Sequence, residues 1–419
     1  MTGHVRKRGS KWEVVLELGE QAAQRCPACM SKRGRAGGRL LWVVDDRHEV
    51  CPKCGAELED VTARRQIVLP ERYRLKTEAE ARLTQEKQAG ADGAFVEPSA
   101  LTVGQFLEGE WLESLAAEGL TRNTVLAYTV HVKQRIVPQL GTIPLQKLST
   151  RDVTRFATHM ASKPGGRGRV LSAGTRHQAL VVLHKALGAA VRAGYIRTNP
   201  AHGVKRPRVR RKQMQTWSAE ELRAFLETTK GSRLYPLWRF LAQTGLRRGE
   251  ALGLMVDALD LEAGKVIIRR QRSTAGYEVQ EGPLKTDAGR SVSLDAGTVA
   301  VLREQLERQL EDAKEWGEAW RATGHVFTRE NGEPWHPDRI TKLFDQAVAG
   351  APVPRIRLHD LRHTHATLAL RAGVHVKVVS ERLGHANIKI TLDCYSHVLP
   401  DMQESAAELV AALVDGAHE

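Results

Sequence analysis

His359-Asp360-Leu361-Arg362-His363-Thr364-His365 is the segment from which the fold and the chemistry of this chain are best predicted, and Leu383-Gly384-His385 and Tyr395 follow it. His359 and Arg362 are three residues apart, so on a helix both side chains lie on one face. Two hydrogen-bond donors therefore converge on one point outside the helix, where an anion can bind.

A second charged motif lies upstream, at Thr244-Gly245-Leu246-Arg247-Arg248-Gly249-Glu250. Gly245 eases a tight turn, and a helix is predicted from Arg248, so the Arg247 guanidinium lies near a helix N-terminus, where anions such as phosphate are favoured. Two arginines can offer bidentate hydrogen bonds to one phosphodiester, which a lysine cannot.

These residues occur in a fixed order along the chain, and together they resemble the catalytic set of the tyrosine recombinases, the phage integrase family. The matching positions are Arg247, Lys285, His359, Arg362, His385 and Tyr395, with Glu250 at the family's acidic position. The resemblance implies that Tyr395 attacks a scissile phosphate, forms a 3′-phosphotyrosine link and frees a 5′-hydroxyl. It also implies that neither ATP nor a catalytic metal is required.

Each residue has a chemical role in that reading. Tyr395 is a weak nucleophile because a free phenol has a pKa near ~10, so a base must assist it. His359 is the predicted base, and Lys285, between two predicted strands, protonates the leaving sugar oxygen. His385 is expected to hydrogen-bond the phosphate. An isolated arginine, histidine or tyrosine is more often structural, so the prediction depends on the whole set.

Composition agrees with a polyanionic partner. The 419 residues include 63 Lys plus Arg against 49 Asp plus Glu, a formal net charge of +14, which favours nucleic acid although a basic surface can also be merely soluble. No run of about 18 apolar residues is present, so we expect a cytoplasmic, nucleoid-associated protein without membrane contact.

The predicted fold class is multidomain, mainly α with small β. It comprises an arm-type DNA-binding domain over 1–95 with a zinc ribbon at about 26–54, a helical core-binding domain over 100–197, a basic linker over 198–214, and a mixed α+β catalytic domain over 215–419. The family resemblance suggests these domain names. The predicted strands are Trp12–Leu18, Arg64–Leu69, Lys265–Arg270, Gly276–Gln280 and Ser291–Leu294. The predicted helices are Thr77–Gln88, Val103–Ala117, Thr121–Ile136, Thr150–Ala161, Ala173–Ala193, Arg248–Leu254 and a helical segment from Thr298.

Four cysteines form two Cys-x-x-Cys pairs, Cys26 with Cys29 and Cys51 with Cys54. Four thiolates complete a tetrahedral zinc site and leave no open position, so a structural Zn²⁺ is predicted. A redox Cys-x-x-Cys is the alternative, but it needs only one pair. The ribbon interrupts the plain arm-domain pattern, which leaves open whether it contacts DNA or protein.

DNA contacts are predicted at two helix starts and in the linker, where basic and polar groups favour phosphate. The linker holds six Lys or Arg from Lys205 to Lys212, with no acid among them. The alternative to DNA contact is that the linker is only a solvated tether. The predicted contact residues are Arg122, Arg176, Lys205, Arg206, Arg208, Arg210 and Arg211.

The resemblance implies an integrase that acts as a homo-tetramer on two double-stranded DNA attachment sites, with accessory DNA-bending or directionality proteins, to insert or excise a phage or mobile element. The alternatives are a chromosome-dimer resolvase or transposon recombinase with the same catalytic residues, and a DNA-binding regulator without catalysis.

Other residues receive no catalytic role. His359 and His363 have the i, i+4 spacing of a zinc helix, and His365 and His397 are further ligand types, but no acidic base lies between them as in His-Glu-x-x-His. Cys394 is interpreted as a packing residue. Met402–Val414 has an apolar face that either docks on a neighbouring subunit or covers its own domain.

Overall fold

The computed structural model describes residues 1–29, 39–42, 48–162, 170–209, 214–276, 278–284, 289–395 and 414. The chain divides into two compact units, Met1–Val209 and Arg210–Glu419. Within the described ranges, no helix is both long enough and apolar enough to cross a bilayer. Both units contain helices and small sheets, and the predicted fold class is confirmed.

The first unit begins with an antiparallel sheet in which the second strand pairs with all the others. Its strands are β1 (Thr2–Arg8), β2 (Lys11–Cys26), β3 (Arg39–Trp42) and β4 (Glu59–Tyr73). One long edge of β2 pairs first with β1 and then with β3, and the other pairs with β4 along most of its length. The two predicted strands lie inside β2 and β4, and β1 adds a third.

Helix α1 (Lys76–Ala91) covers this sheet. Val14, Leu16 and Leu69 from the sheet and Ala79 and Leu83 from α1 form one buried cluster. Alternating residues of a strand point to opposite faces, so Val14 and Leu16 share the face that the helix covers. The helix and the sheet therefore stabilise each other through a small apolar core.

A helical bundle follows, with its own core. Its helical segments are α2 (Val103–Gln105), π-helical Phe106–Trp111, α3 (Leu112–Ala117), α4 (Arg122–His131), π-helical Val132–Ile136, α5 (Val137–Leu140), 3₁₀-helical Leu145–Lys147, α6 (Thr150–Ser162) and α7 (Ala173–Arg192). Thr102, Thr121 and Ser172 each accept a backbone N–H as helix N-caps, which satisfies donors that the first helical turn leaves free.

An ion pair connects helix α1, which covers the sheet, to the segment that follows the bundle. The Glu86 carboxylate on α1 is 2% exposed and pairs with Arg82 at 2.8 Å and with Arg197 at 2.5 Å. A buried carboxylate needs such partners because desolvation without them is costly. The three-domain division remains a prediction, since the sheet and the bundle lie in one compact unit.

The second unit is mainly helical with two small sheets. Its helices are α8 (Ala219–Thr229), α9 (Tyr235–Thr244), α10 (Arg248–Leu252), α11 (Ala296–Trp316), α12 (Pro337–Ala349), α13 (Asp360–Arg371), α14 (Val376–Leu383) and α15 (Ile388–Tyr395), with 3₁₀ turns at Val256–Ala258 and Gly317–Ala319. Its strands are β5 (Leu259–Asp260), β6 (Lys265–Ile268), β7 (Arg270–Ala275), β8 (Glu278–Pro283) and β9 (Arg290–Ser293). Trp217, Trp238 and Phe344 are among the largest buried side chains.

One strand prediction differs from the structure. The predicted strand Lys265–Arg270 is divided between β6, which pairs with β5 and β9, and β7, which among the described strands pairs with β8 alone. Val266 and Ile268 are buried in the core, whereas β7 continues into a separate two-stranded ribbon. A continuous run of residues in the sequence therefore supplies two sheets.

Candidate active site

Helix α13 positions the first group of predicted residues. His359 is its N-cap and Arg362 lies in its first turn. The buried Asp360 carboxylate accepts hydrogen bonds from the backbone N–H and the guanidinium of Arg357. Thr364, also buried, accepts the backbone N–H of Trp217 at 3.1 Å. These contacts hold the start of α13 against the body of the unit.

Arg362 is 3% exposed and connects three segments. Its Nη1 donates to the Gly245 carbonyl at 2.9 Å, and its Nη2 donates to the Leu383 carbonyl at 2.8 Å. Burial lowers its pKa to about 10, with a smaller effect from the Arg247 charge. The guanidinium therefore remains charged near neutral pH and retains further N–H donors for an anion.

A buried carboxylate aligns Arg247. Glu250 is 2% exposed, and its Oε1 accepts the Arg247 Nη1 at 2.8 Å. Arg290, at the start of β9, donates to both carboxylate oxygens, at 2.7 and 3.2 Å. Burial acts to raise the pKa of Glu250, but the Arg290 and Arg247 contacts outweigh it and leave the pKa lowered. Glu250 is therefore an anion that orients two arginines.

Two left-handed glycines shape the turns beside these arginines. Gly245 ends α9 with φ of +65°, and Gly384 ends α14 with φ of +66°. Side chains rarely adopt this conformation. The Gly384 carbonyl lies 3.5 Å from the Arg247 Nη2, so both turns bring backbone acceptors to the predicted arginines.

Tyr395 is the last residue of α15 and is 1% exposed. Its hydroxyl lies 2.7 Å from the Nδ1 of His363 on α13. Burial raises the pKa of Tyr395 well above its usual range, and the Arg362 charge only partly opposes this. The phenol is therefore protonated in this state, and its contact is with His363 rather than with the predicted base, His359.

The other site histidines are neutral at pH 7. Burial, followed by the charges of Arg362 and Arg247, lowers the pKa of His385 to about 4. Desolvation, with His363 and Arg362 nearby, also holds the pKa of His359 well below its usual value. The His385 Nδ1 lies 2.8 Å from the Thr391 hydroxyl. Both rings can thus act as neutral hydrogen-bonding groups or as bases.

The structure brings Arg247, Arg362, His359, His385 and Tyr395 into one electrostatically coupled cluster, in which the charge of Arg362 shifts the pKa of each histidine and of the tyrosine. The predicted helix Met402–Val414, the acid Lys285, and His397 lie outside the described residues, apart from Val414.

Two residues of the cluster had no catalytic role in the sequence interpretation. His363 had been considered only as a metal ligand, although its spacing from His359 already predicted a shared helix face. Arg290 follows Gly289 in a short strand, and nothing in its local sequence marks it. Only its two contacts with Glu250 reveal its position at the site.

The predicted DNA contacts that the structure describes belong to the first unit. Arg122 and Arg176 are in the first turns of α4 and α7, and Lys205, Arg206 and Arg208 are exposed. Arg210 and Arg211 lie outside the described ranges. Their roles remain predictions.

The four cysteines of the two pairs lie together, with their sulfur atoms all within 4.8 Å of one another. Individual Sγ–Sγ distances are 3.4 Å for Cys26 with Cys54, 3.5 Å for Cys29 with Cys54 and 3.8 Å for Cys29 with Cys51. A zinc tetrahedron with bonds of ~2.3 Å has edges of about 3.8 Å. Backbone N–H groups of Lys53 and Cys54 lower the pKa of Cys51 to about 6, which favours its thiolate, whereas burial and the neighbouring thiols raise the pKa values of Cys26 and Cys29. The residues therefore fit a metal ion.

Comparisons with known proteins identify the relatives of this chain. Residues 212–402 match the phage integrase family, and residues 102–161 match the N-terminal SAM-like domain of phage integrases. A XerC-like tyrosine recombinase of Caldanaerobacter subterraneus is 27% identical over 353 residues, which cover 80% of this chain and 88% of that protein. The ICEBs1 integrase of Bacillus subtilis is 27% identical over 267 residues, 63% of this chain and 71% of its own.

Solved structures show the same fold. The Tn1549 transposon integrase in complex with transposon right end DNA aligns with a TM-score of 0.62 at 22% identity, covering 74% of this chain and all of that one. A lambda integrase tetramer bound to a Holliday junction aligns with a TM-score of 0.54 at 16% identity, covering 82% of this chain and 90% of the other.

Proposed function

The chain belongs to the phage integrase family of tyrosine recombinases and is a site-specific DNA recombinase, and we propose that it is an integrase whose nucleophile is Tyr395. This assignment rests on the position of the Tyr395 hydroxyl, which contacts His363 inside the cluster that contains Arg247 and Arg362. It inserts or excises a phage or other mobile element, which places its action at the nucleoid.

The arginines supply the electrostatic part of the reaction. Attack on a phosphodiester adds charge to the non-bridging oxygens, and preorganised donors stabilise that charge. Glu250 and backbone carbonyls already orient Arg247 and Arg362, so little reorganisation is needed when DNA binds. His385 and His359, both neutral, complete the set as hydrogen-bond partners of the phosphate.

The leaving 5′-oxygen needs a proton, and we assign Lys285 as its donor. An ammonium group can protonate the oxygen as it leaves phosphorus. Tyr395 is 1% exposed, so its hydroxyl reaches the phosphate only after neighbouring groups move aside on DNA binding. The bond energy is conserved in the phosphotyrosine, and the reaction therefore requires no ATP.

DNA binding involves more than the catalytic cluster. We propose that Arg122, Arg176 and the linker cations contact phosphates. Four such chains act on two attachment sites, assisted by accessory DNA-bending or directionality proteins. The N-terminal sheet with its cysteine cluster favours an integrase over a chromosome-dimer resolvase.

We further propose that the cysteine cluster holds a structural Zn²⁺. Cys26, Cys29, Cys51 and Cys54 supply four thiolates, so the ion has no open position for substrate. The ion would tie the end of β2 to the turn before β4, where the core is small. Its role is to order the sheet rather than to take part in strand transfer.

Replacement of Cys51 by Ser should remove the metal. We expect about one zinc per purified wild-type chain by elemental analysis, and much less in Cys51→Ser. Backbone amides of β2 and β4 should also exchange hydrogen faster in this variant, as in chelator-treated wild type. Cys394→Ser is the matched control and should retain its zinc. Equal zinc content in both variants would contradict the assignment.

The test of the proposed function is covalent trapping. Purified protein is incubated with nicked duplexes that carry the sequences flanking its gene, and denaturant-resistant adducts are separated on a gel. Wild type should form an adduct and Tyr395→Phe should form none, with equal DNA binding by both. Binding by both proteins without an adduct on any flanking sequence would favour the non-catalytic regulator.

A further inference from the structure

His363 is the group in contact with the proposed nucleophile. Its Nδ1 lies 2.7 Å from the Tyr395 hydroxyl, and the two ring centroids are 5.8 Å apart. This distance is within the range of a normal hydrogen bond. His363 is half-buried on α13, the helix that also contributes to the apolar cluster around Tyr395.

Tyr395 keeps its proton in this state, and His363 is neutral. Burial raises the pKa of Tyr395 and lowers that of His363, although Asp360 partly opposes the shift of the histidine. With the ring proton of His363 on Nε2, the phenol donates to the unprotonated Nδ1. A base that already accepts the hydrogen bond of the reacting group meets the first geometric condition for proton transfer.

His359 lies in a different relation to the phenol. Its ring is perpendicular to that of His363, with centroids 5.1 Å apart, and among the contacts of the described residues it has no hydrogen bond to Tyr395. It is the N-cap of α13 and lies near the charges of Arg362 and Arg247, the two arginines proposed to bind the phosphate. The two histidines thus have separate places around one reaction centre.

We propose that His363 is the base that accepts the Tyr395 proton during strand cleavage, a role that rests on the proposed nucleophile. The Nδ1 lone pair takes the proton as the phenolic oxygen forms its bond to phosphorus. The bond from phosphorus to the 5′-oxygen breaks, and that oxygen keeps the electron pair and receives a proton from Lys285. In rejoining, neutral Lys285 takes back the proton of the 5′-hydroxyl as its oxygen attacks phosphorus. The bond from phosphorus to the Tyr395 oxygen breaks, and the His363 imidazolium returns its proton to the departing phenolate.

The test measures the rate of adduct formation on nicked DNA for wild type, His363→Ala and His363→Asn. Asn places an amide oxygen near the position of Nδ1, so it keeps a hydrogen-bond acceptor but not a base. If His363 accepts the proton, both variants should bind DNA normally and form adducts about 10²-fold to 10³-fold more slowly. An Asn variant at the wild-type rate would reduce His363 to a positioning residue and overturn the proposal.

A second substrate distinguishes the base that deprotonates the nucleophile from the acid that protonates the leaving group. When the bridging 5′-oxygen is replaced by sulfur, the leaving thiolate needs no acid, so a Lys285→Ala variant should recover its rate. His363→Ala should stay slow on this substrate, because nothing accepts the phenolic proton. Recovery of His363→Ala, or an adduct rate above that of wild type, would overturn the proposal; the latter would mean that His363 only restrains Tyr395.

Tyr395→Phe in the same assay distinguishes this proposal from the proposed function. An adduct that persists in Tyr395→Phe would overturn the nucleophile and the role of His363 together. An adduct that depends on Tyr395 but not on His363 would overturn the role of His363 alone.

Discussion

His365, three residues after Arg362 on α13, illustrates how packing in the C-terminal unit shifts the pKa of a single residue. His365 donates from Nδ1 to the Ala242 carbonyl at 3.0 Å, and its Nε2 accepts the Arg382 Nε at 3.2 Å. A protonated ring would have no lone pair on Nε2 to accept the Arg382 hydrogen bond. The neutral ring therefore fits this site, and the charged ring does not. Burial, with the Arg382 charge, lowers its pKa to about 4.

This shift predicts a pH dependence of stability. The unfolded chain, with a His pKa of about 6.5, binds the proton more tightly than the folded chain, so stability falls as pH drops below about 6.5 and the loss is complete near pH 4, on the order of 3 kcal/mol. Between pH 7.5 and 5 the free energy of unfolding of the C-terminal unit should fall by about 2 kcal/mol more in wild type than in His365→Gln. Chemical denaturation at the two pH values measures this, and equal losses would contradict it.

At the scale of elements, the site depends on where helices end. α9 and α14 both end in left-handed glycines, and the carbonyls at these turns accept the donors of Arg362 and Arg247. A Cβ added at Gly245 would lie 2.7 Å from side-chain atoms of both His365 and Leu383. The turn therefore needs glycine for its conformation and for its close packing.

Gly245→Ala should destabilise the C-terminal unit by about 3 kcal/mol, from left-handed strain and overpacking together. Gly373→Ala is the matched control, because Gly373 has φ of +79° but a Cβ there would meet nothing within 4 Å. It should cost about 1 kcal/mol from the backbone alone. Calorimetry of the C-terminal unit's transition compares them, and equal shifts in Tm would show that packing at Gly245 is unimportant.

At the scale of the whole molecule, the positive charge of the chain complements the negative charge of its proposed DNA partner. The chain carries a formal net charge of +14, and Lys205, Arg206 and Arg208 are exposed in the segment that ends the first unit. Cations that neutralise phosphates release counterions, so their number sets the salt dependence of binding.

A triple change of Lys205, Arg206 and Arg208 to Gln should therefore lower the slope of log affinity against log salt by up to about 2.7, at about 0.9 per lost phosphate contact. The control replaces Lys230, Arg303 and Lys377, which are exposed cations already paired with carboxylates. Titrations at several salt concentrations measure both slopes. Equal slopes in the two triple variants would leave the linker as a solvated tether.

Local pattern was sufficient for many features of the fold. The predicted helices within the described ranges correspond to observed helical segments, and the N-caps Ser172 and Thr121 begin α7 and α4 as their side chains favour. Patterns within a few residues report such features because hydrogen bonds and periodicity in helices are local. The division of Lys265–Arg270 between two sheets was not predictable in this way, since it depends on which distant strands pair with each half.

The sequence by itself determined the family, the residue types of the candidate site and the two cysteine pairs, because these depend on side-chain chemistry in a fixed order. Only the tertiary structure decided that Tyr395 meets His363 instead of His359, and that Arg290 supports Glu250. These contacts join residues 32 and 40 positions apart. Their distances follow from how whole helices and strands pack, which no local spacing specifies.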